Sequence, residues 1–358
     1  MIRTFLIVIT LVVLSANAWA YPNYVRLGYV SCAVCHVSSQ GQGLLTEYGK
    51  SIAAGSAFFS RESREETQAS FVRWGLQARA IAIVQKSRSE FFPMQLDGMT
   101  SIGSANLRSD AVIGVTPLRQ KNAARAGRGA LGEDFVLRKA LIAGKPTENM
   151  EWILGRDFAS AGIATDDHTA FIRALTRRGV TDYPTQARLD LSTERWLHSY
   201  AFLAPSFEES FSAREYGVSA RLERILNESA TVGGLVVFAK SNSIERLAIS
   251  GFTRWGFTSS LALVSEIQLT TRELRSGQRF EQWIAHARPS LAALEWVELA
   301  LPVEVLSISP PFQDLALQSG PSANLRLIRE ASLLLDGRWT LRGGQAQRVF
   351  LAQVFVHL

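Results

Sequence analysis

Cysteine is nearly absent from this chain: 358 residues contain two, Cys32 and Cys35, so no disulfide framework can be built from them beyond one short bridge. A structural zinc site takes about four ligands, and no second cysteine pair or paired histidine cluster supplies the missing ones. After residue 20 there is no apolar run of the roughly 20 residues that a membrane-spanning helix needs. Blocks of like charge are missing too. Lys and Arg are interspersed with Asp and Glu at a formal net charge of +6, which gives neither a nucleic-acid patch nor a polybasic membrane arm. No nucleotide-binding motif, short-period repeat or nucleophile-base-orienter set is legible, so a hydrolase reading has no support.

What is present is the spacing of those two cysteines. Cys32-Ala33-Val34-Cys35-His36 is the attachment pattern of a c-type haem. Both thiols add across the haem vinyl groups, and His36 is then held beneath the iron as its proximal ligand. The compartment agrees with that chemistry. Arg3, an apolar run from Phe5 to Leu14 and the small-x-small sequence Ala18-Trp19-Ala20 read as a secretory signal, residues 1–20, with the mature chain starting at Tyr21. The expected cofactor is one covalently attached haem c, and the absence of a second such motif argues against a multihaem carrier.

A break falls near residue 65. Residues 21–69 hold the haem motif, a flexible Gln40-Gly41-Gln42-Gly43 turn, a short helical stretch over Leu44 to Ala53 and the charged run Arg61-Glu62-Ser63-Arg64-Glu65-Glu66. A segment this short does not build an adequate core around a porphyrin by itself.

From residue 70 to 358 the pattern is strict alternation, the period of strands with one apolar and one polar face. Thr185, Ala187, Leu189, Leu191 and Thr193 alternate with Gln186, Arg188, Asp190, Ser192 and Glu194. Similar runs cover Glu215 to Glu223, Leu261 to Arg272 and Val297 to Val305. The segments reach about ten residues, the length of a tilted membrane strand, where sandwich strands average about five or six. The polar set would then face a wet lumen and the apolar set lipid. This predicts an all-β transmembrane antiparallel barrel of about 16 strands, with residues 21–69 as a plug in its lumen. Candidate strands begin near Phe71, Phe92, Leu107, Phe135, Asn149, Thr169, Thr185, Trp196, Ala213, Ser229, Glu245, Ser259, Phe280, Leu294, Ala323 and Arg348. Arg119 to Gly132 reads as an extracellular loop and Gly144-Lys145-Pro146-Thr147 as a periplasmic turn. Trp74, Trp152, Trp196, Trp255, Trp283 and Trp339 are candidates for interface girdles.

An exported chain with one haem motif after the cleavage point and a barrel running to the last residue resembles the fused monohaem cytochrome-porins. That family includes outer-membrane iron oxidases, which take electrons from ferrous iron outside the cell. Cys32, Cys35 and His36 match its haem motif residue for residue. The flanks Tyr24-Val25-Arg26-Leu27-Gly28-Tyr29 and Gly41-x-Gly43-Leu44-Leu45-x-x-Tyr48-Gly49 are similar to those of exported haem-barrel proteins. The chain ends on Phe350, Ala352, Val354, Val356 and Leu358, an alternating last strand, with Leu358 where such barrels usually carry an aromatic.

The resemblance implies an outer-membrane protein, embedded in lipid, relaying electrons between an extracellular redox partner and a periplasmic electron carrier. A diffusion porin with a structural or sensory haem, and a soluble exported haem-binding β protein, are the alternatives. For the sixth iron ligand, parity with Gln95 and Asp97 favours Met99, a bulge at Pro93 would favour Met94, and His168 stands at a loop edge; His198, His286 and His357 are further options.

Overall fold

The computed structural model describes residues 24–29, 35, 46, 48–49, 52, 71–86, 88–104, 106–115, 135–159, 162–163, 170–175, 183–205, 215–310, 313–328 and 330–357. The proposed signal peptide, Cys32, His36, His168 and the Arg119–Gly132 stretch lie outside the described residues.

From Val72 on, alternation becomes strand over most of the described residues. The strands are β1 (Val72–Gln85), β2 (Arg88–Gly103), β3 (Leu107–Val115), β4 (Phe135–Thr147), β5 (Met150–Arg156), β6 (Thr185–Ser192), β7 (Trp196–Ala204) and β8 (Tyr216–Asn227). They continue as β9 (Ala230–Lys240), β10 (Ile244–Gly256), β11 (Leu261–Leu274), β12 (Arg279–Leu294), β13 in two runs (Val297–Ala300 and Val303–Ile308), β14 in two runs (Asp314–Ser319 and Ser322–Ile328), β15 (Ala331–Arg342) and β16 (Gln345–His357). Pro302 and Pro321 lie in the two interruptions, where a residue without an N–H cannot continue the ladder. Both runs of β13 pair with β12, and both runs of β14 pair with β15, so each counts once around the wall.

Every strand pairs antiparallel with its successor, and β16 closes on β1 from Gln77↔His357 to Gln85↔Val349. The result is a closed barrel of sixteen strands with no free edge. Its faces are inverted relative to a soluble protein. Leu222, Ile249, Ile267, Leu317 and Val354 are exposed on the outside, while Gln186, Arg188, Asp190, Glu223 and Glu304 are buried on the inside. Hydrocarbon outside and polar partners inside satisfy that arrangement; water outside does not. Among the described residues no helix is long and apolar enough to cross a membrane, and the crossing is made by strands.

One end of the barrel carries tight turns, such as Asn227 to Ala230 and Leu294 to Val297, and the other carries the long connections after β3, β5 and β7. Trp74, Trp152, Trp196 and Trp255 stand on outward positions at the tight-turn end, and Trp283 and Trp339 at the opposite end, as two girdles require.

Two details of the expected strand list are corrected. The segment near Thr169 is not a strand: Phe171–Ala174 is a single helical turn, α1, inside the long β5–β6 connection. The number is still sixteen because Ala331–Arg342 is a strand of its own, beyond the one expected to begin near Ala323. Its turn carries no Gly or Pro to announce it. The Gly144–Thr147 turn is displaced as well, since β4 continues to Thr147 and the chain reverses at Glu148-Asn149.

Candidate functional site

Of the chain between β5 and β6, residues 157–159, 162–163, 170–175 and 183–184 are described, and they contact both sides of the lumen wall. The two ends of this segment are held together by the Asp157 N–H donating to the Pro184 carbonyl at 3.2 Å. The wall beneath this root is a network of alternating charge on β3 to β6. Arg188 donates to Asp190 at 3.1 Å and pairs with Asp157 at 3.1 Å; Lys139 lies 3.5 Å from both Asp157 and Asp110. Arg108 then bridges Asp110 at 3.2 Å and Glu151 at 2.6 Å. The first residues of the crossing segment are fixed to that wall, because Gln186 Nε2 donates to the Phe158 carbonyl at 2.7 Å and the Phe158 and Tyr183 rings pack at 4.2 Å.

Further along, the same segment is bound to the opposite side. The Ile163 N–H donates to Glu266 on β11 at 2.8 Å, and Ile163 is buried against Phe252 and Val264. Gly162 permits this approach, since a β-carbon there would sit 2.4 Å from the Glu266 carboxylate. At α1 the Phe171 and Ile172 N–H groups donate to the Glu304 carboxylate on β13 at 3.0 and 3.4 Å. Glu304 also accepts from Gln318 Nε2 at 3.1 Å and lies 3.0 Å from His286 Nδ1. Ala170 and Ile172 pack on Ile284, Leu306 and Ala316, and Arg272 donates to the Leu175 carbonyl at 2.9 Å. At Ile163 and α1 a carboxylate accepts from backbone N–H groups, which satisfies donors that a buried loop would otherwise leave unpaired.

The rest of the wall is self-paired. Asp97 accepts from Arg138 at 2.8 Å, Arg246 reaches Glu215 at 2.8 Å, Arg288 reaches Glu298 at 3.2 Å, and Glu223 is held between Arg221 and Arg254. The Arg79 guanidinium lies 4.1 Å from the Phe355 ring centroid. These lumen-facing groups are buried on strands all round the barrel.

The tight-turn mouth has a second element. Tyr24–Leu27 forms a 3-10 turn that packs on β10 and β11, with Val25 and Arg26 buried and Arg26 Nη1 donating to the Ser259 carbonyl at 2.7 Å. Gly256 is required there, because a β-carbon would fall 2.2 Å from the Arg26 Cα. Residues on the two sides of Cys32-Ala33-Val34-Cys35-His36 come together as well. The Tyr29 and Tyr48 hydroxyls are 2.6 Å apart, and the Thr46 N–H donates to the Cys35 carbonyl at 3.0 Å. Cys35 is partly exposed.

The expected iron ligands separate by face. Met99 points into the lumen and is 7% exposed. Met94 is the extra residue of a bulge, since Arg79 pairs with Gln95 and Ala80 with Pro93. His286 is inside and engaged with Glu304, whereas His198 lies on the outward face beside Trp196 and Tyr200 and cannot serve a group in the lumen. His357 ends β16, with its side chain outside what is described. Glu266, Glu304 and Asp157 carry the loop and were not singled out from the sequence. Their backbone partners lie on a distant segment, and a buried carboxylate on a strand has no spacing signature.

No protein-family model matches the chain, and no curated protein matches it. Solved structures do. A loop-deleted form of OmpT, an outer membrane protein of Vibrio cholerae, superposes with a TM-score of 0.65 at 6% identity, over 80% of this chain and 99% of that one. The fold is that of an outer-membrane β-barrel. An anion-selective porin from Comamonas acidovorans matches with a TM-score of 0.57 at 10% identity, covering 80% of this chain and 99% of the porin. The outer membrane channel DcaP of Acinetobacter baumannii gives 0.57 at 10% identity, over 80% and 97%. The outer-membrane barrel therefore occupies about four-fifths of the chain, and Cys32-Ala33-Val34-Cys35-His36 lies ahead of it in the sequence.

Proposed function

We propose that this outer-membrane barrel is a restricted diffusion channel for small polar solutes, with the Asp157–Pro184 segment as its constriction. The observation that carries the reading is the crossing itself: one loop fixed to β5 and β6 at its root and to Glu266 and Glu304 at its far side. The charged lumen suits hydrated solutes, and the segment pinned to Glu266 and Glu304 inside it implies a low conductance. The channel and porin folds among the matching structures support the same class. Reconstitution in planar lipid bilayers tests it: wild type gives small discrete steps, and Glu266→Ala with Glu304→Ala gives larger ones. Absence of any steps from both proteins would rule the channel out.

A second reading rests on the motif flanks drawn together at the tight-turn mouth. Here Cys32 and Cys35 would carry a covalent haem and His36 would bind its iron, with Met99, Met94 or His168 as the opposite ligand. Bound there, the haem would supply one-electron chemistry between an extracellular partner and a periplasmic carrier. This chain's own residues would seat the segment: Arg26 in the Gly256 notch, and Tyr29 against Tyr48. Absorption spectra of the purified protein, oxidised and reduced, test attachment. A haem c spectrum that Cys35→Ala abolishes supports it, and a colourless wild-type protein rejects it.

A further inference from the structure

The outward face of the barrel is apolar along most of its middle, which makes a charged cluster on it conspicuous. At the tight-turn end Trp196, His198 and Tyr200 occupy successive outward positions of β7. The Trp196 and His198 rings stack with centroids 5.9 Å apart, and His198 and Tyr200 follow at 6.2 Å. Tyr200 Oη lies 3.4 Å from His198 Nδ1. Arg224 of β8 is the register partner of Trp196, is exposed, and holds its guanidinium 5.7 Å from the Trp196 ring centroid. Leu191 and Leu222 flank His198 on the neighbouring strands. The partner carboxylate nearest in the β8 sequence, Glu223, is committed to Arg221 and Arg254 on the other side of the wall.

We propose that Arg224, Trp196 and His198 form a binding site for the phosphate of a phospholipid headgroup in the leaflet on the tight-turn side. The reasoning is positional and chemical. An arginine on the lipid face is tolerated near the interface, where its head reaches the headgroup layer, and is expensive deeper in. Guanidinium is the side chain best matched to phosphate oxygens, and Trp196 beneath it fixes its direction. His198 adds a ring N–H toward the same layer, and Leu191 and Leu222 offer acyl chains an apolar seat. By contrast Lys240, an outward cation at the opposite end, already has Glu245 at 2.9 Å. The site is independent of what passes through the lumen.

Native mass spectrometry of the full-length barrel in detergent, titrated with palmitoyl-oleoyl phosphatidylglycerol, reads the site. Heat-modifiable migration on gels establishes that each variant is folded. Wild type should retain one more lipid than Arg224→Ala, whose affinity for it falls about tenfold, as loss of one charge-assisted contact implies. His198→Ala should weaken retention less, Arg224→Lys should keep part of it, and Lys240→Ala should leave it unchanged. Equal retention by wild type and Arg224→Ala would overturn the proposal. So would displacement of the lipid by an equal concentration of inorganic phosphate, or a loss of oligomer instead of lipid in Arg224→Ala, which would make the cluster a contact between copies.

Discussion

Glu223 shows what a single lumen residue does in this barrel. Its side chain is fully buried between Arg221 and Arg254, so removing its charge leaves two largely buried guanidinium groups without their shared partner. Glu223→Gln should destabilise the folded barrel by about 3–5 kcal/mol, the usual cost of breaking a buried pair from one side. Urea unfolding in detergent micelles, followed by tryptophan emission, measures it. The lipid face obeys the opposite rule. Ile267 is exposed at the middle of β11, and Ile267→Arg should cost about 2–4 kcal/mol, while Glu273→Arg near the rim should cost about 0–1 kcal/mol. If the two arginine substitutions were equal in cost, the outward face of β11 would not be in hydrocarbon. Gly256→Leu should push Arg26 out of its notch with little effect on the strands, read as faster amide hydrogen exchange at Arg26 and Leu27 with that of β10 and β11 unchanged.

At the scale of elements, the crossing segment depends on carboxylates more than on its own packing. Two successive N–H groups of α1 share Glu304, and one N–H at Ile163 uses Glu266. Each charged acceptor contributes about 1.5–3 kcal/mol, so Glu304→Ala alone should loosen α1 and leave the Ile163 anchor in place. Amide hydrogen exchange should then accelerate at Phe171 and Ile172 before it does at Ile163. Strands were legible from sequence because the lumen and the bilayer demand opposite chemistry at alternate residues, as in Thr185–Ser192. The β5–β6 crossing was not, because Phe171–Ala174 offers an apolar stretch without a period long enough to separate a turn of helix from a strand. Proline misleads at this scale too: Pro302 and Pro321 interrupt β13 and β14 without ending them, whereas the true reversal before Ala331 has no turn residue.

For the whole molecule, the closed wall and the crossing segment make one unit. A barrel with sixteen strands is wide enough to leave an aqueous channel if nothing enters it, and here a pinned loop enters. The Tyr24–Leu27 turn sits at the tight-turn mouth beneath β10 and β11, on the far side of the wall from the start of β1. Cys32-Ala33-Val34-Cys35-His36 falls between those two attachment points in the sequence, so the proposed redox reading concerns the mouth and the proposed channel reading the crossing. Bilayer conductance separates the crossing from the wall most directly. Wild-type protein should give small steps, and the Glu266→Ala, Glu304→Ala double variant should give larger ones with the barrel still heat-modifiable. Identical steps from the two proteins, or none from either, would contradict a channel constricted by the Asp157–Pro184 segment.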